Sequence, residues 1–553
     1  MDTFRNHIIS LLKKETAQED ILLETPPNPD LGDFAFPCFS LSKQFRKAPQ
    51  RIAQELATRL STDEFVNEIR PTGSYLNFFI NKEKLAKETI GAVLGKKSHY
   101  GSASIGKGKN ILIEHTSINP NASPHVGRAR NALIGDSIVR ILRFQGYAVE
   151  AHYLVNDVGK QIAMLVLGSQ GKEEVSFHDL LDLYIDINKK GEGDESIEKK
   201  VFELLNRLEA GDQDVRKRFH DIVKTCIDGQ GNILGDLDIH YDSYDYESEY
   251  LWNKKTEEVL HLLDKTGKLF VDDNGRKVMN LEGYGLGMET PVFVMTRADG
   301  TSLYGLRDIA YTIEKVKQGE NIVVLGEDQK LYFEQIAAVM KELRLIPPRA
   351  VHYSFVLLRE GKMSTRQGNV VLLSDFMSEV VKKANDEIEK RYGQKDEEAA
   401  KIIGYGALKY SILKVSSDKS VTFDLEQALS FEGDTGPYIQ YSYARIASIL
   451  RKHAKPITDY DASLLKEPTE QKLIKLIANF PSVVEKASTD LHPHLIAACL
   501  YELAQSFNEF YHAHDVLSAE EKVRDARLAL CMAVSQVLKN GLGLLGIGVL
   551  ERM

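Results

Sequence analysis

The sequence predicts an α/β protein: a doubly wound parallel sheet interrupted by an insertion, with an α/β module before it and an all-helical bundle after it. Three observations support this fold class. Short strand-like runs alternate with amphipathic helices between residues 109 and 358, which is the pattern of a parallel sheet covered on both faces. A charge-rich and mostly helical stretch breaks that alternation at residues 166–270. From about residue 431 only helical periodicity remains.

These observations divide the chain of 553 residues, which is too long for one hydrophobic core, into six predicted parts. The first is the α/β module, the second and fourth are the two halves of the sheet, and the third is the insertion. The fifth is a mixed segment and the sixth is the helical bundle. The predicted bounds are residues 1–108, 109–165, 166–270, 271–375, 376–430 and 431–553.

The composition is ordinary for a globular protein. Hydrophobic residues make up 43% and charged residues 27% of the chain, and no apolar run approaches the ~18 residues of a membrane span. The N-terminus lacks the apolar core of a signal peptide, and the four cysteines stand far apart without a CxxC pair. We therefore expect a cytoplasmic protein without a membrane partner, a disulfide framework or a zinc site. A net charge of −10 argues against a nucleic-acid coat over the whole surface, but leaves 70 Lys and Arg residues for a local basic track.

The stretch at residues 110–131 is the first candidate site. It opens as an apolar strand, passes through a Pro/Asn/Ser loop and enters a helix at the sequence HVGR. His125, Gly127 and Arg128 therefore stand where the carboxyl end of a parallel strand leads into a helix, a place that favours anions. Gly127 leaves room for a flat or phosphorylated ligand, and two potential cations, His125 and Arg128, suit a polyphosphate. Taken alone, the motif is equally typical of a polar loop in which His125 caps the helix.

A second candidate follows the last predicted strand of the sheet, residues 350–358. The sequence KMSTR at residues 362–366 lies in a short loop flanked by glycines and contains two cations with hydroxyls between them. Such a loop can close on a triphosphate and stabilise charge on leaving pyrophosphate, although alone it is also typical of a basic surface turn. HVGR after the first strand and KMSTR after the last strand of one sheet together favour a nucleotide site. The sequence has no Walker motif, and its glycines at 283–287 do not match the dinucleotide fingerprint.

HVGR resembles the HIGH signature, and KMSTR the KMSKS signature, of class I aminoacyl-tRNA synthetases. Within that class the chain is similar over essentially its full length to the arginyl-tRNA synthetase family, through the phrases PHVGRARNALIGDSIVRIL, YLVNDVGKQ, YGLRDIAYT, KMSTRQGNVV, EGDTGPYIQYSYARI and LLGIGVLERM. The resemblance implies a Rossmann-like catalytic domain and a reaction in two steps. The arginine carboxylate attacks the α-phosphate of ATP, and the arginyl group then passes to the terminal ribose of tRNA(Arg). Catalysis would consist of positioning and charge stabilisation, without a covalent enzyme intermediate.

The resemblance also implies roles for the residues that match the two signatures. ATP, as its Mg²⁺ complex, would contact Pro124, His125, Gly127, Lys362, Met363 and Ser364. The catalytic side chains would be His125, Arg128, Lys362 and Arg366. Arg128 departs from the family pattern because it stands at the second histidine of the signature, where a permanent guanidinium can replace that histidine as a phosphate donor. Thr365 stands at the usual second-lysine position, and Arg366 lies one residue beyond it.

A pocket for arginine needs carboxylates that bind a planar cation through paired hydrogen bonds. Asp308, in the sequence YGLRD, fits this chemistry and the family pattern, and Tyr304 precedes it by one helical turn on the same face. Glu247, in an acidic run, is a second candidate carboxylate. By the same resemblance, the α-amino and carboxylate ends of arginine would contact Ser117, Asn119 and Gln329, with Glu114 nearby. Without the resemblance, Asp308 and Glu247 are also typical of solvated surface acids.

Two regions are expected to contact tRNA. In the strand at residues 74–81, Tyr75 and Asn77 share a polar face, and the resemblance implies that this face reads the D-loop. An ordinary amphipathic strand would show the same alternation. The family's helical bundle binds the anticodon, which makes Tyr441, Arg445 and Tyr511 candidates there, although the stripe that includes Tyr511 is also typical of a bundle core.

Three alternatives remain open at this point. Another class I synthetase is one, although a cysteine enzyme would be expected to carry a zinc-binding Cys/His set. A HIGH-type nucleotidylyltransferase is the second, but it would have no use for the helical bundle. A non-catalytic RNA-binding relative is the third, and it should have lost His125 or KMSTR. The resemblance therefore predicts a monomeric enzyme whose partners are L-arginine, ATP and tRNA(Arg), with no metal site of its own.

Overall fold

The computed structural model describes residues 1–172, 174–191, 194–358, 371–457 and 459–553. Its first domain contains seven elements: α1 (Asp2–Thr16), β1 (Phe34–Pro37), α2 (Ser42–Phe45), α3 (Pro49–Arg59), β2 (Val66–Thr72), β3 (Tyr75–Ile80) and α4 (Lys82–Lys96). Strand β3 is the centre of an antiparallel sheet and pairs with β1 on one side and with β2 on the other. Helix α4 begins after Asn81, whose side chain accepts a hydrogen bond from Lys84 N.

The polar face predicted for β3 is not exposed. Leu76 and Phe78 are fully buried on one face, but Asn77 on the other face is only 3% exposed. A Cβ at Gly32, in the loop before β1, would lie 3.5 Å from Asn77 Cβ, so this loop covers the strand. The prediction that Asn77 is accessible to a base is therefore wrong for this structure, whereas Tyr75 is half-buried. The alternation of β3 could not reveal this, because the covering loop comes from another part of the chain.

A five-stranded parallel sheet follows, as predicted. This part of the chain contains β4 (Asn110–Glu114), α5 (Val126–Phe144), β5 (Ala148–Val155), α6 (Lys160–Gly168), α7 (Asp179–Gly191), α8 (Glu195–Glu209), α9 (Gln213–Asp236), β6 (Ser243–Tyr246), α10 (Glu249–Trp252), α11 (Lys255–Asp264), β7 (Leu269–Val271), β8 (Lys277–Asn280), β9 (Val292–Val294), α12 (Tyr304–Val316), β10 (Glu320–Gly326), α13 (Lys330–Glu342) and β11 (Arg349–Tyr353). The strand order is β11–β10–β4–β5–β6, and every neighbouring pair is parallel. Strands β5 and β6 follow β4 in the chain and lie on one side of it in the sheet. The later strands β10 and β11 lie on its other side. In such sheets ligands bind at the carboxyl ends of the strands where the order reverses, here between β4 and β10.

Two strands lie elsewhere than predicted. Strand β6 re-enters the parallel sheet at residues 243–246, inside the range predicted as an insertion, so helices α6–α9 alone form that insertion before the sheet continues. Strand β9, which was expected to resume the sheet, joins β7 and β8 in a separate antiparallel sheet. The sequence SYDY of β6 is polar because it forms an exposed edge, and the apolar run of β9 does not identify its partner. The predicted domain bounds otherwise stay predictions.

The last predicted strand, residues 350–358, is in fact two strands. Strand β11 ends at Tyr353, and β12 (Val356–Leu358) pairs in parallel with β13 (Val421–Phe423) in a separate two-stranded sheet. The buried guanidinium of Arg130 on α5 holds the bend between β11 and β12, because it donates to Ser354 O at 2.8 Å and to Ser416 O at 2.9 Å. The predicted KMSTR loop, residues 362–366, lies outside the described residues, which resume at residue 371.

Helices make up most of the rest of the described chain, and the bundle from residue 431 is all-helical as predicted. They are α14 (Leu373–Tyr392), α15 (Glu397–Leu413), α16 (Leu425–Ala428), α17 (Gly436–His453), α18 (Pro468–Asp490), α19 (His494–Ala513) and α20 (Glu521–Leu544). Helix α4 packs against α18 and α20, and Tyr100 donates to Ile477 O at 3.0 Å. One hydrophobic core therefore continues from the first domain through the sheet into the bundle. Among the described residues, no helix has the length and apolar character needed to cross a membrane.

We expect Glu470 to stabilise the bundle through its ion pair with Arg527. Its side chain is 1% exposed, and it accepts hydrogen bonds from Arg527 Nε at 2.8 Å and from Glu467 N at 3.0 Å. In Glu470→Gln the buried Arg527 loses its counter-charge, so we expect a loss of about 3 kcal/mol, measured as a lower thermal midpoint in calorimetry. Lys472→Gln, in the same helix, breaks an ion pair whose side chains are 47% and 45% exposed. That control should lose less than about 1 kcal/mol, and equal midpoints for the two variants would contradict the assignment.

Candidate active site

A cavity of about 440 Å³ lies at the carboxyl edge of the parallel sheet, beside the reversal between β4 and β10. Its walls are the loop after β4, the first turns of α5, the residue that follows β6, and helices α12 and α13. The predicted residues that line it are Glu114, Ser117, Asn119, Arg128, Glu247, Tyr304, Asp308 and Gln329. The fold therefore brings together every residue that was predicted to bind arginine, from both halves of the sheet.

The loop after β4 has a strained backbone. Thr116 and Ser117 have φ angles of 73° and 39°, which residues other than glycine rarely adopt. Asn131 of α5 stabilises this turn, because its Oδ1 accepts from Thr116 N at 2.7 Å while its Nδ2 donates to Val324 O of β10 at 2.9 Å. Ser117 Oγ accepts from Leu154 N at 3.2 Å. Strain of this kind persists where the surroundings hold it, and it is concentrated at functional sites.

The first turn of α5 lies beside the cavity and leaves a donor free. His125 is the N-cap residue, with φ −91° and ψ 157°, and the helix runs for 19 residues from Val126. Val126 N donates to Val371 O at 3.2 Å, but Gly127 N–H has no hydrogen-bond partner among the residues that the structure describes. Free N–H groups and the helix dipole make such a terminus a site for anions.

His125 is not a cation at neutral pH in this structure, which corrects the prediction of two cations. Burial, and to a smaller extent the neighbouring Arg128 guanidinium, lowers the pKa of His125 to about 4. Its Nδ1 is buried and has no hydrogen-bond partner within the described ranges. A neutral imidazole can still donate one hydrogen bond to a phosphate oxygen. Among the described residues of this turn, the fixed positive charge is therefore that of Arg128.

Asp308 is the acid on which the cavity is centred. Its Oδ2 accepts from the Tyr332 hydroxyl at 2.9 Å. Burial raises the pKa of Asp308 to about 7, and the nearby carboxylates of Glu114 and Glu247 act in the same direction, whereas Lys315 and Tyr332 lower it. No cation of the described chain forms an ion pair with Asp308. A bound cation would therefore find a carboxylate that accepts a hydrogen bond from Tyr332 but forms no ion pair within the described residues.

Two other acids of the cavity, Glu114 and Glu247, are already paired. Glu114 accepts a short hydrogen bond from Lys315, whose ammonium also lies 4.0 Å from the centre of the Tyr311 ring. Glu247 accepts from Arg307 Nε at 2.7 Å, and both side chains are nearly buried. Glu247 was predicted as a second carboxylate for the guanidinium of arginine, but one of its oxygens is occupied by the chain's own arginine.

The remaining predicted residues form the rim of the cavity. Asn119 is exposed and donates through Nδ2 to Gln161 Oε1 at 3.1 Å. Gln329 is exposed in the short turn that follows β10. Tyr304 begins α12, is 57% exposed, and its ring centre lies 5.2 Å from that of Tyr332. Their exposure leaves these polar groups accessible to a ligand from solvent.

Among the lining residues that sequence reasoning missed are Asn131, Arg307, Lys315 and Tyr332. Lys315 follows Asp308 by two helical turns, so helical periodicity could have placed both on one face. Arg307 adjoins Asp308 and could have been noticed for that reason. Asn131 and Tyr332 reach the cavity from other elements, and no local pattern identifies them.

The second signature cannot be placed in the same way. Lys362, Met363, Ser364 and Arg366 lie outside the described residues. The described chain resumes beside the first signature, because Leu373 N donates to Pro124 O at 2.8 Å and Val371 O accepts from Val126 N.

The predicted tRNA-binding residues of the bundle form one cluster. The Arg445 guanidinium lies 4.8 Å from the centre of the Tyr441 ring and 4.9 Å from that of Tyr511. Tyr441 and Arg445 line a cleft of about 1040 Å³ between α14, α17 and α19. Tyr511 is 38% exposed, whereas Phe507 and Phe510 of the same stripe are fully buried. Tyr75 of the first domain lies far from this cluster in sequence and contacts Phe39 edge-on, with ring centres 5.8 Å apart.

Three family models match the chain. The model of tRNA synthetases class I (R), catalytic domain, matches residues 89–425. The model of the DALR anticodon binding domain matches residues 439–553, and that of the arginyl tRNA synthetase N terminal domain matches residues 2–80.

Similar proteins are named arginine–tRNA ligases, and a similar solved structure is named arginyl-tRNA synthetase. An arginine–tRNA ligase of Methanocella arvoryzae is 38% identical over 530 residues, which are 93% of this chain and 92% of that protein. One of Streptococcus pneumoniae is 38% identical over 547 residues, which are 96% of each chain. The structure of Thermus thermophilus arginyl-tRNA synthetase superposes with a TM-score of 0.85 at 29% identity and covers 100% of both chains. The chain therefore belongs to the arginyl-tRNA synthetase family of class I aminoacyl-tRNA synthetases.

Proposed function

We propose that this chain is an arginine–tRNA ligase. It activates L-arginine with ATP to arginyl-adenylate and pyrophosphate, and then esterifies the 3′-terminal ribose of tRNA(Arg). The observation that supports arginine as the substrate is that Asp308, an acid of the cavity, forms no ion pair within the described ranges. In contrast, Glu114 pairs with Lys315 and Glu247 pairs with Arg307. A guanidinium would complete this charge balance through paired hydrogen bonds.

The position of the guanidinium at Asp308 would determine where the rest of the arginine molecule binds. Glu247 keeps a second carboxylate oxygen, which can accept from the same guanidinium while Arg307 holds the first. Tyr304 and Tyr332 would flank the planar cation. Ser117, Asn119 and Gln329 would then meet the α-amino and carboxylate ends near the strained turn, with Glu114 nearby.

ATP would lie at the N-terminus of α5, where Pro124, His125, Gly127 and Arg128 meet. The free N–H of Gly127, a neutral imidazole and a permanent guanidinium can stabilise charge on the α-phosphate while the arginine carboxylate attacks it. The roles of Lys362, Met363, Ser364 and Arg366 rest on the signature alone.

Mg²⁺ would arrive as part of the ATP complex, because this ion keeps phosphate and water ligands rather than an all-protein cage. Within the described part of the chain, no group of three or more His, Cys, Asp or Glu side chains could hold a metal ion.

The tRNA would contact two separate surfaces. The cluster of Tyr441, Arg445 and Tyr511 offers aromatic faces and a guanidinium plane, which stack on unpaired bases of an anticodon loop. Tyr75 would serve the D-loop on the first domain. We also propose that the protein acts as a monomer in the cytoplasm, which light scattering and cell fractionation would test.

An exchange assay with each amino acid tests the function as a whole. We expect incorporation of labelled pyrophosphate into ATP with L-arginine, and only when tRNA(Arg) is present, as the family implies. Exchange with another amino acid would favour a different class I synthetase. Exchange that requires neither tRNA nor the helical bundle of residues 431–553 would favour a HIGH-type nucleotidylyltransferase.

Arginine binding should depend on pH through Asp308. The pKa of this acid in the empty cavity is about 7, so below that pH the protein must release a proton when it binds the guanidinium. The dissociation constant should therefore rise by about tenfold for each pH unit below 7 and be constant above it. Calorimetric titration of arginine, in buffers of different ionisation heat, measures both the constant and the proton release.

Two variants of α12 complete this test. Asp308→Asn should bind arginine about 100-fold more weakly and without proton release, because a buried cation loses its partner. Glu314→Gln, on the same helix as Asp308, changes a side chain that is 35% exposed and pairs with Lys255 of α11, and it should match the wild type within about twofold. A pH-independent constant in the wild type would remove Asp308 from the pocket.

Arg445→Met should raise the KM for tRNA by about tenfold, because it removes the cation that lies between two aromatic rings. The KM for arginine should not change, because the cavity at the sheet lies on other elements. Lys452→Met removes one exposed positive charge from the same helix and should leave both constants unchanged. Charging kinetics give all of these values, and equal effects of the two variants would refute the anticodon assignment.

A further inference from the structure

The guanidinium of Arg130 is buried, and within the described residues a carboxylate, that of Asp418, acts on it without forming an ion pair. Its side chain is 0% exposed, yet it forms no ion pair within the described ranges. Instead, its two terminal nitrogens donate to backbone carbonyls: Nη1 to Ser354 O at 2.8 Å and to Phe355 O at 3.4 Å, and Nη2 to Ser416 O at 2.9 Å. Burial lowers its pKa to about 10, so it stays charged at neutral pH.

This arrangement is costly for packing alone. Moving a charged group out of water costs several kcal/mol, and an apolar side chain of similar size would fill the same space without that cost. Arg130 Nε is buried and has no hydrogen-bond partner among the described residues, which adds to the cost. The three carbonyl contacts are thus the interactions that account for an arginine at this position. A lysine has one nitrogen and could not reach both chain segments in the same way.

The carbonyls belong to two segments that carry a small platform. Ser354 and Phe355 lie directly before β12, and Ser416 precedes β13, the parallel partner of β12. Residues 359–370, which contain KMSTR, follow β12 in sequence. On the other side of that stretch, Val371 and Leu373 exchange backbone hydrogen bonds with residues 124 and 126. The described chain on either side of the second signature is therefore bonded to the first turns of α5, within residues 124–130.

We infer that Arg130 is a positioning residue for arginine activation: it holds the platform of β12 and β13 in register with the first turn of α5, which bears His125 and Arg128. This inference rests on the proposed function, because it concerns the binding of ATP at the first turn of α5, where His125 and Arg128 lie. Arg130 touches no substrate in this account and acts through the backbone of residues 354–358. In the cavity, Asp308 bonds to Tyr332 and Glu247 to Arg307, and neither acid is hydrogen-bonded to Arg130.

The consequence is a split between binding and turnover. Misplacing reacting groups by about 1 Å can lower a rate by about 100-fold. Arg130→Met should therefore lower kcat for arginine-dependent ATP–pyrophosphate exchange by about 100-fold and raise the KM for ATP. The dissociation constant of arginine, measured by calorimetry without ATP, should stay within about twofold of the wild type, since Asp308 and Glu247 bond to side chains other than Arg130. Arg130→Lys keeps the charge and one set of donors, so it should recover about tenfold of the lost rate.

A matched control comes from the same helix. Arg140 pairs with Asp136 at 2.7 Å and with Asp238 at 2.9 Å, and its side chain is 27% exposed. Arg140→Met should lower the thermal midpoint but leave kcat and the KM for ATP unchanged. Hydrogen exchange adds a readout without chemistry: the amides of β12 should exchange faster in Arg130→Met than in Arg140→Met.

The outcomes separate the two hypotheses. If the wild type shows no arginine-dependent exchange, the proposed function fails. If the wild type is active and Arg130→Met keeps its kcat, or loses arginine binding as much as kcat, the positioning role is overturned. If Arg130→Met does not fold, Arg130→Lys carries the test: a reduced kcat with unchanged arginine binding supports the role, and an unchanged kcat overturns it.

Discussion

The pairing of β4 with β5 on one side and with β10 on the other is the constraint on which the site depends. The reversal of strand order opens a crevice at the carboxyl ends of β4 and β10, and both the cavity and the first turn of α5 lie there. Asn131 stabilises the crevice from α5, because one amide group binds the strained turn after β4 and the end of β10 together. The strained φ angles of Thr116 and Ser117 are maintained by that contact and would relax in a flexible loop.

Electrostatics inside the crevice follow from how the chain distributes its own cations. Lys315 and Arg307 neutralise Glu114 and Glu247, and both are held nearly out of solvent. Asp308 receives only a hydroxyl, and its raised pKa expresses the cost of leaving this acid buried without a counter-charge. A pocket of this kind stores unfavourable energy in the empty state and releases it when a cation binds. The same reasoning applies to His125. Burial and, to a smaller extent, the neighbouring Arg128 guanidinium lower its pKa and so favour the neutral imidazole.

Helix α5 connects these features to the rest of the molecule. Its first turns carry His125, Arg128, Arg130 and Asn131, and its later part is enclosed by the bundle, where Ser137 donates to Leu544 O at 2.9 Å. Helix α5 also packs against β4, β5 and β10 of the sheet and against α18 and α20 of the bundle.

The sequence by itself determined the fold class and the position of α5, because these follow from local periodicity and from strand-to-helix junctions. It also predicted residues that line the cavity, although for Ser117, Asn119 and Gln329 that prediction came from the family resemblance. It did not determine that β6 lies in the parallel sheet and β9 outside it, since short strands do not encode their partners. It also could not show that a loop near Gly32 buries Asn77. Nor could it show that Arg307 donates a hydrogen bond to Glu247, or that Arg130 on α5 bonds to the backbone just before β12. Each of these depends on side chains and backbone groups that are distant in sequence. Only the tertiary structure decides which of them meet, and burial then sets their charge.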